Sequence, residues 1–79
     1  FNRATADIRL GRKIEAIFDF TKAIELRPRY ADAYCKRGVM YAEVKNFEAA
    51  RNDLRKAMQF DPTLEVKVRL ISERYGLGL

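Results

Sequence analysis

The sequence lacks histidine and tryptophan altogether and contains one cysteine, Cys35. A single cysteine cannot form an internal disulfide, nor a zinc or iron–sulfur site built from several cysteines. The absence of histidine excludes His-based acid–base catalysis, the usual catalytic triads and most transition-metal chemistry. No apolar run approaches the roughly 20 residues that cross a bilayer. We therefore expect a chain that is not an enzyme, binds no cofactor or metal and does not enter a membrane.

The 79 residues provide one small domain. Apolar residues make up 48% of the chain and charged residues 34%, which is typical of a globular protein. Lys and Arg number 16 against 11 Asp and Glu, so the net charge of +5 favours acidic partners. One unpaired cysteine is typical of a reducing compartment, and we expect an intracellular, cytoplasmic protein. Because the chain starts at Phe1 rather than Met, we also expect a fragment of something longer.

An internal repeat of 34 residues runs through the chain. Identical residues recur at this spacing in five pairs, namely Ala16 and Ala50, Asp19 and Asp53, Lys22 and Lys56, Ala23 and Ala57, and Pro28 and Pro62. Further upstream, Arg3 recurs as Arg37, and Ala4 corresponds to Gly38. These matches cluster at the spacings that helix packing requires.

Apolar residues at three- and four-residue intervals predict helices in both copies. Five helices are predicted, over residues 1–10, 13–26, 31–44, 47–60 and 64–75. Short linkers, among them Gly11-Arg12, make successive helices antiparallel neighbours. Pro28 and Pro62 stop two helices, and Gly76 ends the last one. Gly38 within a helix costs about 1 kcal/mol relative to Ala, which predicts a close neighbouring helix there.

These residues resemble a known family, the tetratricopeptide repeat, a helix–turn–helix unit of 34 residues. The resemblance is carried by Tyr34, Gly38, Tyr41, Ala50, Leu54, Ala57 and Pro62, and by the upstream set Ala16, Phe20, Ala23 and Pro28. It implies an all-α fold of antiparallel helical hairpins, stacked as a right-handed superhelix of about two and a half repeats. The single domain, 1–79, then divides into a truncated first repeat (1–30), a complete repeat (31–62) and a C-terminal capping helix with its tail (63–79).

Three residues depart from the family pattern. Arg37 stands where the family prefers Leu, Lys13 where it prefers an aromatic residue, and Asp7 where the second copy has Tyr41. We therefore expect the first repeat to be weakly packed, or to pack against chain that is missing. Because repeat proteins usually need about three repeats, we expect self-association or excision from a longer array.

The resemblance implies a protein–protein interaction module, an adaptor or scaffold, that binds a peptide or helix in a concave groove. The peptide-binding groove is predicted to contain Asn2, Thr5, Arg9, Lys36, Val39, Glu43 and Arg69. Neighbouring candidates on the same helices are Phe1, Asp32, Cys35, Val66, Leu70 and Glu73. Four of these groups, Asn2, Arg9, Lys36 and Arg69, are donors that can bind carboxylates, so an acidic partner segment is favoured.

Part of the chain also resembles co-chaperone tetratricopeptide domains, which hold the C-terminal Glu-Glu-Val-Asp of heat-shock chaperones. Asn2 matches the Asn of that carboxylate-binding set, and Lys36 matches its Arg. However, Asp32 stands where the set has a Lys, and an acid there would repel a carboxylate. The C-terminal tail of a heat-shock chaperone is thus a more specific candidate for the acidic partner segment that the groove residues favour.

The alternative is structural: the repeats stack on neighbouring repeats or form a homo-oligomer, and no groove ligand exists. Leu77 and Leu79 could insert into a partner or a second copy. Tyr30 and Tyr34 beside basic residues would suit single-stranded RNA, but no RNA-binding motif accompanies them, so we expect no nucleic-acid partner. Cys35 is expected to be a packing residue rather than a reactive thiol.

Overall fold

The computed structural model describes the backbone of residues 2–79 and the side chains of residues 11–79. The described chain is all-helical, with α1 at Asn2–Leu26, α2 at Ala31–Glu43, α3 at Phe47–Phe60 and α4 at Glu65–Tyr75. A short 3₁₀ turn at Pro62–Leu64 precedes α4. The centre of the fold is the α2–α3 hairpin, with α1 against α2 and α4 against both α3 and α2. The predicted all-α class is confirmed.

Local capping explains where α3 and the 3₁₀ turn begin and where α4 ends. Asn46 accepts a hydrogen bond from the backbone N–H of Ala49 and so starts α3. The carboxylate of Asp61, just before the 3₁₀ turn, accepts a hydrogen bond of 3.1 Å from the backbone N–H of Thr63. Gly76, with φ +66°, ends α4 in the left-handed conformation, as predicted.

The predicted helix break at Gly11-Arg12 is wrong, because α1 continues unbroken through both residues. The chain therefore has four α-helices over residues 2–79 rather than five. The second copy does turn at the equivalent place, where Lys45 has φ +66° and Asn46 caps the next helix. Neither Gly11 nor Arg12 supplies a capping side chain, and glycine alone costs a helix only about 1 kcal/mol.

The core lies between α2, α3 and α4. Ala50, Leu54, Ala57 and Val68 have no solvent-exposed surface. The remaining buried apolar residues are Ile24, Ala33, Tyr34, Cys35, Ala42 and Leu77. A Cβ at Gly38 would lie 2.9 Å from Leu54 Cγ, so the close helix approach predicted there is present.

The C-terminal tail packs on its own domain. Leu77 is buried, and Leu79 packs against the core while its backbone N–H donates to Ser72 Oγ at 2.8 Å. The tail is therefore not free to insert into a partner, which corrects the expectation drawn from its sequence. No helix in residues 2–79 combines the length and hydrophobicity that crossing a membrane requires.

Candidate interaction groove

An apolar groove of about 300 Å³ opens between α1, α2 and α4. It is lined by Ala16 and Phe20 from α1, Cys35, Lys36, Val39 and Met40 from α2, and Lys67 from α4. We call this feature the α1–α2 groove. Its lining is almost entirely apolar, and both of its charged lining residues are lysines.

Helical periodicity explains why these side chains meet. Ala16 and Phe20 are four residues apart, so they lie one above the other on α1. On α2, Cys35 and Val39 form one such pair, and Lys36 and Met40 form the next. The two helices thus present adjoining apolar strips, and the ammonium groups of Lys36 and Lys67 stand at the solvent edge.

The charge of Lys36 is already engaged within the chain. Its Nζ lies 3.1 Å from Asp32 Oδ2, and both side chains are about half exposed. Exposed pairs of this kind contribute about 0.5 kcal/mol, so an incoming carboxylate could replace Asp32. Lys67 forms no ion pair with any side chain in residues 11–79 and remains available to an acidic group.

Cys35 forms part of the groove wall but is not a nucleophile. The residue is 1% exposed, and burial raises the pKa of its thiol above the ordinary 9.0, an effect that Lys67 and Lys36 oppose only in part. The thiol is therefore protonated at neutral pH. This agrees with the packing role expected from the sequence.

Two of the other predicted groove residues, Glu43 and Arg69, lie elsewhere. Glu43 is near one end of α2, where its carboxylate accepts a hydrogen bond from the Tyr75 hydroxyl and lies 3.7 Å from Lys13 Nζ. Arg69 pairs with Glu65 at 2.6 Å and borders a separate surface pocket beside the C-terminal tail. Of the predicted set, the structure thus brings Lys36 and Val39 together in the groove, and not Glu43 or Arg69.

The side chains of Asn2, Thr5 and Arg9 lie outside the described residues, as does Phe1. Val66 and Leu70 are exposed on α4. Asp32 and Cys35 are placed beside the groove, as the ion-pair partner of Lys36 and as part of the wall respectively.

Four groove residues were not among the predicted ones: Ala16, Phe20, Met40 and Lys67. Their three- and four-residue spacing placed Ala16 and Phe20 in an apolar helical stripe. Their counterparts by the repeat, Ala50 and Leu54, are indeed fully buried. Ala16 and Phe20 themselves are only half-buried. The available signal was the unusual Asp7 and Lys13 in the first repeat, which predicted weak packing at this end.

Comparison with protein families supports the all-helical repeat fold. One tetratricopeptide repeat model matches residues 31–64, and a second tetratricopeptide repeat model matches residues 1–30. The chain belongs to the tetratricopeptide repeat family. As a tetratricopeptide repeat domain, it is a protein–protein interaction module.

This tetratricopeptide repeat domain is similar to segments of much longer proteins. It is 41% identical over 61 residues to DnaJ homolog subfamily C member 7 homolog of Dictyostelium discoideum, covering 77% of the domain and 11% of that protein. It is 38% identical over 72 residues to sperm-associated antigen 1 of Rattus norvegicus, covering 91% of the domain and 8% of that protein. It is 46% identical over 48 residues to UDP-N-acetylglucosamine--peptide N-acetylglucosaminyltransferase of Giardia intestinalis, covering 61% of the domain and 3% of that protein.

The domain therefore spans about a tenth or less of the length of these relatives. No solved structure matches it significantly.

Proposed function

We propose that the domain binds a helical segment of another protein in the α1–α2 groove. The observation that carries the proposal is the groove itself: an apolar surface of Phe20, Val39 and Met40 left open, with two lysines at its edge. An apolar side chain that leaves water on entering such a site contributes about 1.5–3 kcal/mol. Acidic residues beside that side chain would meet Lys36 and Lys67.

A helix suits this groove better than an extended peptide. The groove is short and lies between two helices, so it can take apolar side chains at i and i+4 of a third helix. An extended segment would have to continue past the groove. Only then would the other predicted contacts, Asn2, Thr5, Arg9, Glu43 and Arg69, take part in binding.

The narrower proposal of a heat-shock chaperone tail has weaker support. Its basis is the match of Asn2 and Lys36 to a carboxylate-binding set, but Asp32 lies 3.1 Å from the Lys36 ammonium. A carboxylate arriving there would have to displace Asp32 or be repelled by it. We therefore favour an amphipathic helix whose affinity comes mainly from apolar contact.

We further propose that the domain acts in the cytoplasm and carries no catalytic activity of its own. Cys35 is a free cysteine, which is typical of a reducing compartment such as the cytoplasm. Its thiol is buried and its pKa is raised, so it offers no nucleophile for catalysis. No nucleic acid, membrane or cofactor is part of the proposal.

Fluorescence anisotropy with a labelled synthetic peptide tests the groove. The probe is a helical peptide with leucines at i and i+4 on one face and a glutamate on either side of them. A second peptide ending in Glu-Glu-Val-Asp tests the chaperone-tail version. Reversal of both groove charges, Lys36→Glu with Lys67→Glu, should weaken binding of the helical probe about tenfold or more.

A matched control makes the same change in net charge away from the groove. Arg29→Glu with Arg55→Glu reverses two exposed arginines, neither of which lines the groove. This variant should bind the helical probe within about twofold of the wild-type domain, because distant exposed charges are screened by salt. If the two double variants lose affinity equally, the groove is not the binding surface.

A further inference from the structure

A second depression, separate from the α1–α2 groove, is lined by four charged side chains and two aromatic rings. It has a volume of about 440 Å³ and lies where the start of α3 meets α1, the end of α2 and the end of α4. We call it the basic pocket. It shares no lining residue with the α1–α2 groove. Its lining residues are Lys13, Ala42, Glu43, Lys45, Phe47, Arg74 and Tyr75.

Three cations from three parts of the chain meet one carboxylate in the basic pocket. Lys13 comes from α1, Lys45 from the turn between α2 and α3, and Arg74 from the last turn of α4. Glu43 is the one carboxylate that the described side chains contribute to this lining, which therefore carries a net charge of +2. A phosphate monoester carries a charge of about −1.5 to −2 near neutral pH, so it would neutralise the pocket.

The carboxylate of Glu43 is already bound within the chain, whereas two of the cations have no acidic partner among the described side chains. Glu43 accepts a hydrogen bond of 3.1 Å from the Tyr75 hydroxyl through Oε1, and its Oε2 lies 3.7 Å from Lys13 Nζ. Lys45 and Arg74 take part in none of the ion pairs formed by the described side chains. An incoming anion would therefore meet mainly the charges of Lys45 and Arg74.

The internal repeat gives independent support, because two of the cations stand where the other copy has an uncharged residue. Lys45 corresponds to Gly11, and Lys13 corresponds to Phe47. Lys45 has φ +66°, a left-handed conformation that glycine adopts readily and that a residue with a side chain rarely adopts. Helix α4 ends in the same conformation with a glycine, Gly76. A lysine at position 45 is unfavourable for the turn itself, which indicates that its charge has another use.

Two further features suit a phosphate carried on a peptide. Phe47 is the first residue of α3, so the basic pocket lies at the positive end of that helix dipole. The rings of Phe47, which is 40% exposed, and Tyr75 give the pocket an apolar wall beside its cations. A free phosphate would leave this wall unused, whereas a phosphorylated residue brings its neighbours in the peptide with it.

We infer that the basic pocket binds a phosphorylated serine or threonine of a partner protein. The phosphate oxygens would accept charge-assisted hydrogen bonds from the ammonium groups of Lys13 and Lys45 and from the guanidinium of Arg74. An apolar residue next to the phosphorylated one would pack on Phe47. This site is distinct from the proposed helix-binding groove, so either site can exist without the other.

Fluorescence anisotropy with a labelled peptide tests the site. The probe carries one phosphoserine followed by a leucine, and it is compared with the same peptide carrying serine or glutamate in place of the phosphoserine. The phosphoserine peptide should bind at least about tenfold more tightly than either. Inorganic phosphate should displace the probe at least about tenfold less effectively than the unlabelled phosphoserine peptide does.

Lys45→Gly separates binding from folding. Glycine suits φ +66°, so the midpoint of urea unfolding should stay the same or rise, while the probe binds about fivefold or more weakly. Arg74→Gln should weaken binding by a similar factor. Arg55→Gln, an exposed arginine two turns along α3 and outside the pocket, should leave binding within about twofold. Glu43→Gln should instead strengthen binding, because the pocket loses a negative charge.

Equal affinity for the phosphoserine and serine peptides would overturn the inference, and so would equal losses of binding in Arg74→Gln and Arg55→Gln. A glutamate peptide that binds as tightly as the probe would also overturn it, because any carboxylate would then serve. Inorganic phosphate that competes as well as the peptide would overturn the assignment to a partner protein. None of these outcomes bears on the α1–α2 groove, which the helical leucine–glutamate probe tests separately.

Discussion

Arg37 and Asp53 face each other across the α2–α3 contact, with Nε and Nη2 of the guanidinium each 2.7 Å from a different carboxylate oxygen. Nη1 also donates to Thr21 Oγ1 of α1 at 3.2 Å, so one side chain joins three helices. The hydrogen bond with Asp53 raises the pKa of Arg37 above its ordinary value, more than burial lowers it. Arg37, which stands where the family prefers Leu, is therefore paired with a buried acid, Asp53.

Removing the arginine should strongly destabilise the domain. Arg37→Ala leaves Asp53 buried without its counter-charge, and we expect a loss of about 3 kcal/mol in the free energy of unfolding. Urea unfolding followed by circular dichroism measures it. Arg37→Leu with Asp53→Leu should recover much of that loss, because no unpaired charge remains. Arg55→Ala, an exposed control on α3, should change stability by less than about 0.5 kcal/mol.

Gly38→Ala should also destabilise the domain. The added Cβ would lie 2.9 Å from Leu54 Cγ and 3.3 Å from the backbone oxygen of Ala50, so α2 and α3 would have to move apart. We expect a net loss of about 1–2 kcal/mol despite the better helix propensity of alanine. Leu54→Ala makes room for that Cβ, so the double variant should cost less than the two single changes added together. Additive losses in urea unfolding would contradict the close contact.

The Tyr75–Glu43 hydrogen bond predicts how stability depends on pH. Burial and, secondarily, the bond to Glu43 raise the pKa of Tyr75 above the ordinary 10.0. A group whose folded-state pKa is raised contributes stability that is complete below its unfolded pKa and lost as pH rises through the folded one. Tyr75→Phe should therefore cost about 1 kcal/mol at neutral pH and progressively less in alkaline solution.

Free energies of unfolding for wild type and Tyr75→Phe, measured in urea at neutral pH and above the folded pKa of Tyr75, check this expectation. Tyr30→Phe is the control, because the hydroxyl of Tyr30 forms no hydrogen bond to a described side chain and that residue is exposed. A difference between wild type and Tyr75→Phe that stayed constant across this range would refute the assigned bond.

Cys35 should alkylate slowly in the folded domain. Its side chain is buried, and burial raises its pKa, so both access and thiolate content are low. Iodoacetamide at slightly alkaline pH should react at least about tenfold faster when the domain is unfolded in urea. Equal rates in the two states would show that the groove wall at Cys35 is open to solvent.

Much of the fold follows from sequence because the repeat and helical periodicity act together. Ala50, Leu54 and Ala57 share one helical stripe and are all fully buried. Pro62 and Gly76 stop helices by local chemistry that needs no tertiary information. The break at Gly11 was mispredicted because a glycine permits a turn without requiring one, and whether it turns depends on what packs nearby.

The site was less predictable, because the same repeat position is fully buried in one repeat and only half-buried, at the groove, in the other. Phe20 and Leu54 are equivalent by the repeat, yet only Leu54 is covered by a helix. Lys67 was not among the predicted groove residues, and its position at the groove depends on how α4 packs against α2. Such placements arise from tertiary geometry rather than from local pattern.

Amide chemical-shift mapping tests the central claim most directly, that the α1–α2 groove is the interaction surface. The ¹⁵N-labelled domain is titrated with the helical leucine–glutamate peptide. The account predicts that the largest shifts fall on Phe20, Lys36, Val39 and Met40, with small shifts at Val66 and Leu70. Shifts centred on Val66 and Leu70, or none at saturating peptide, would contradict it.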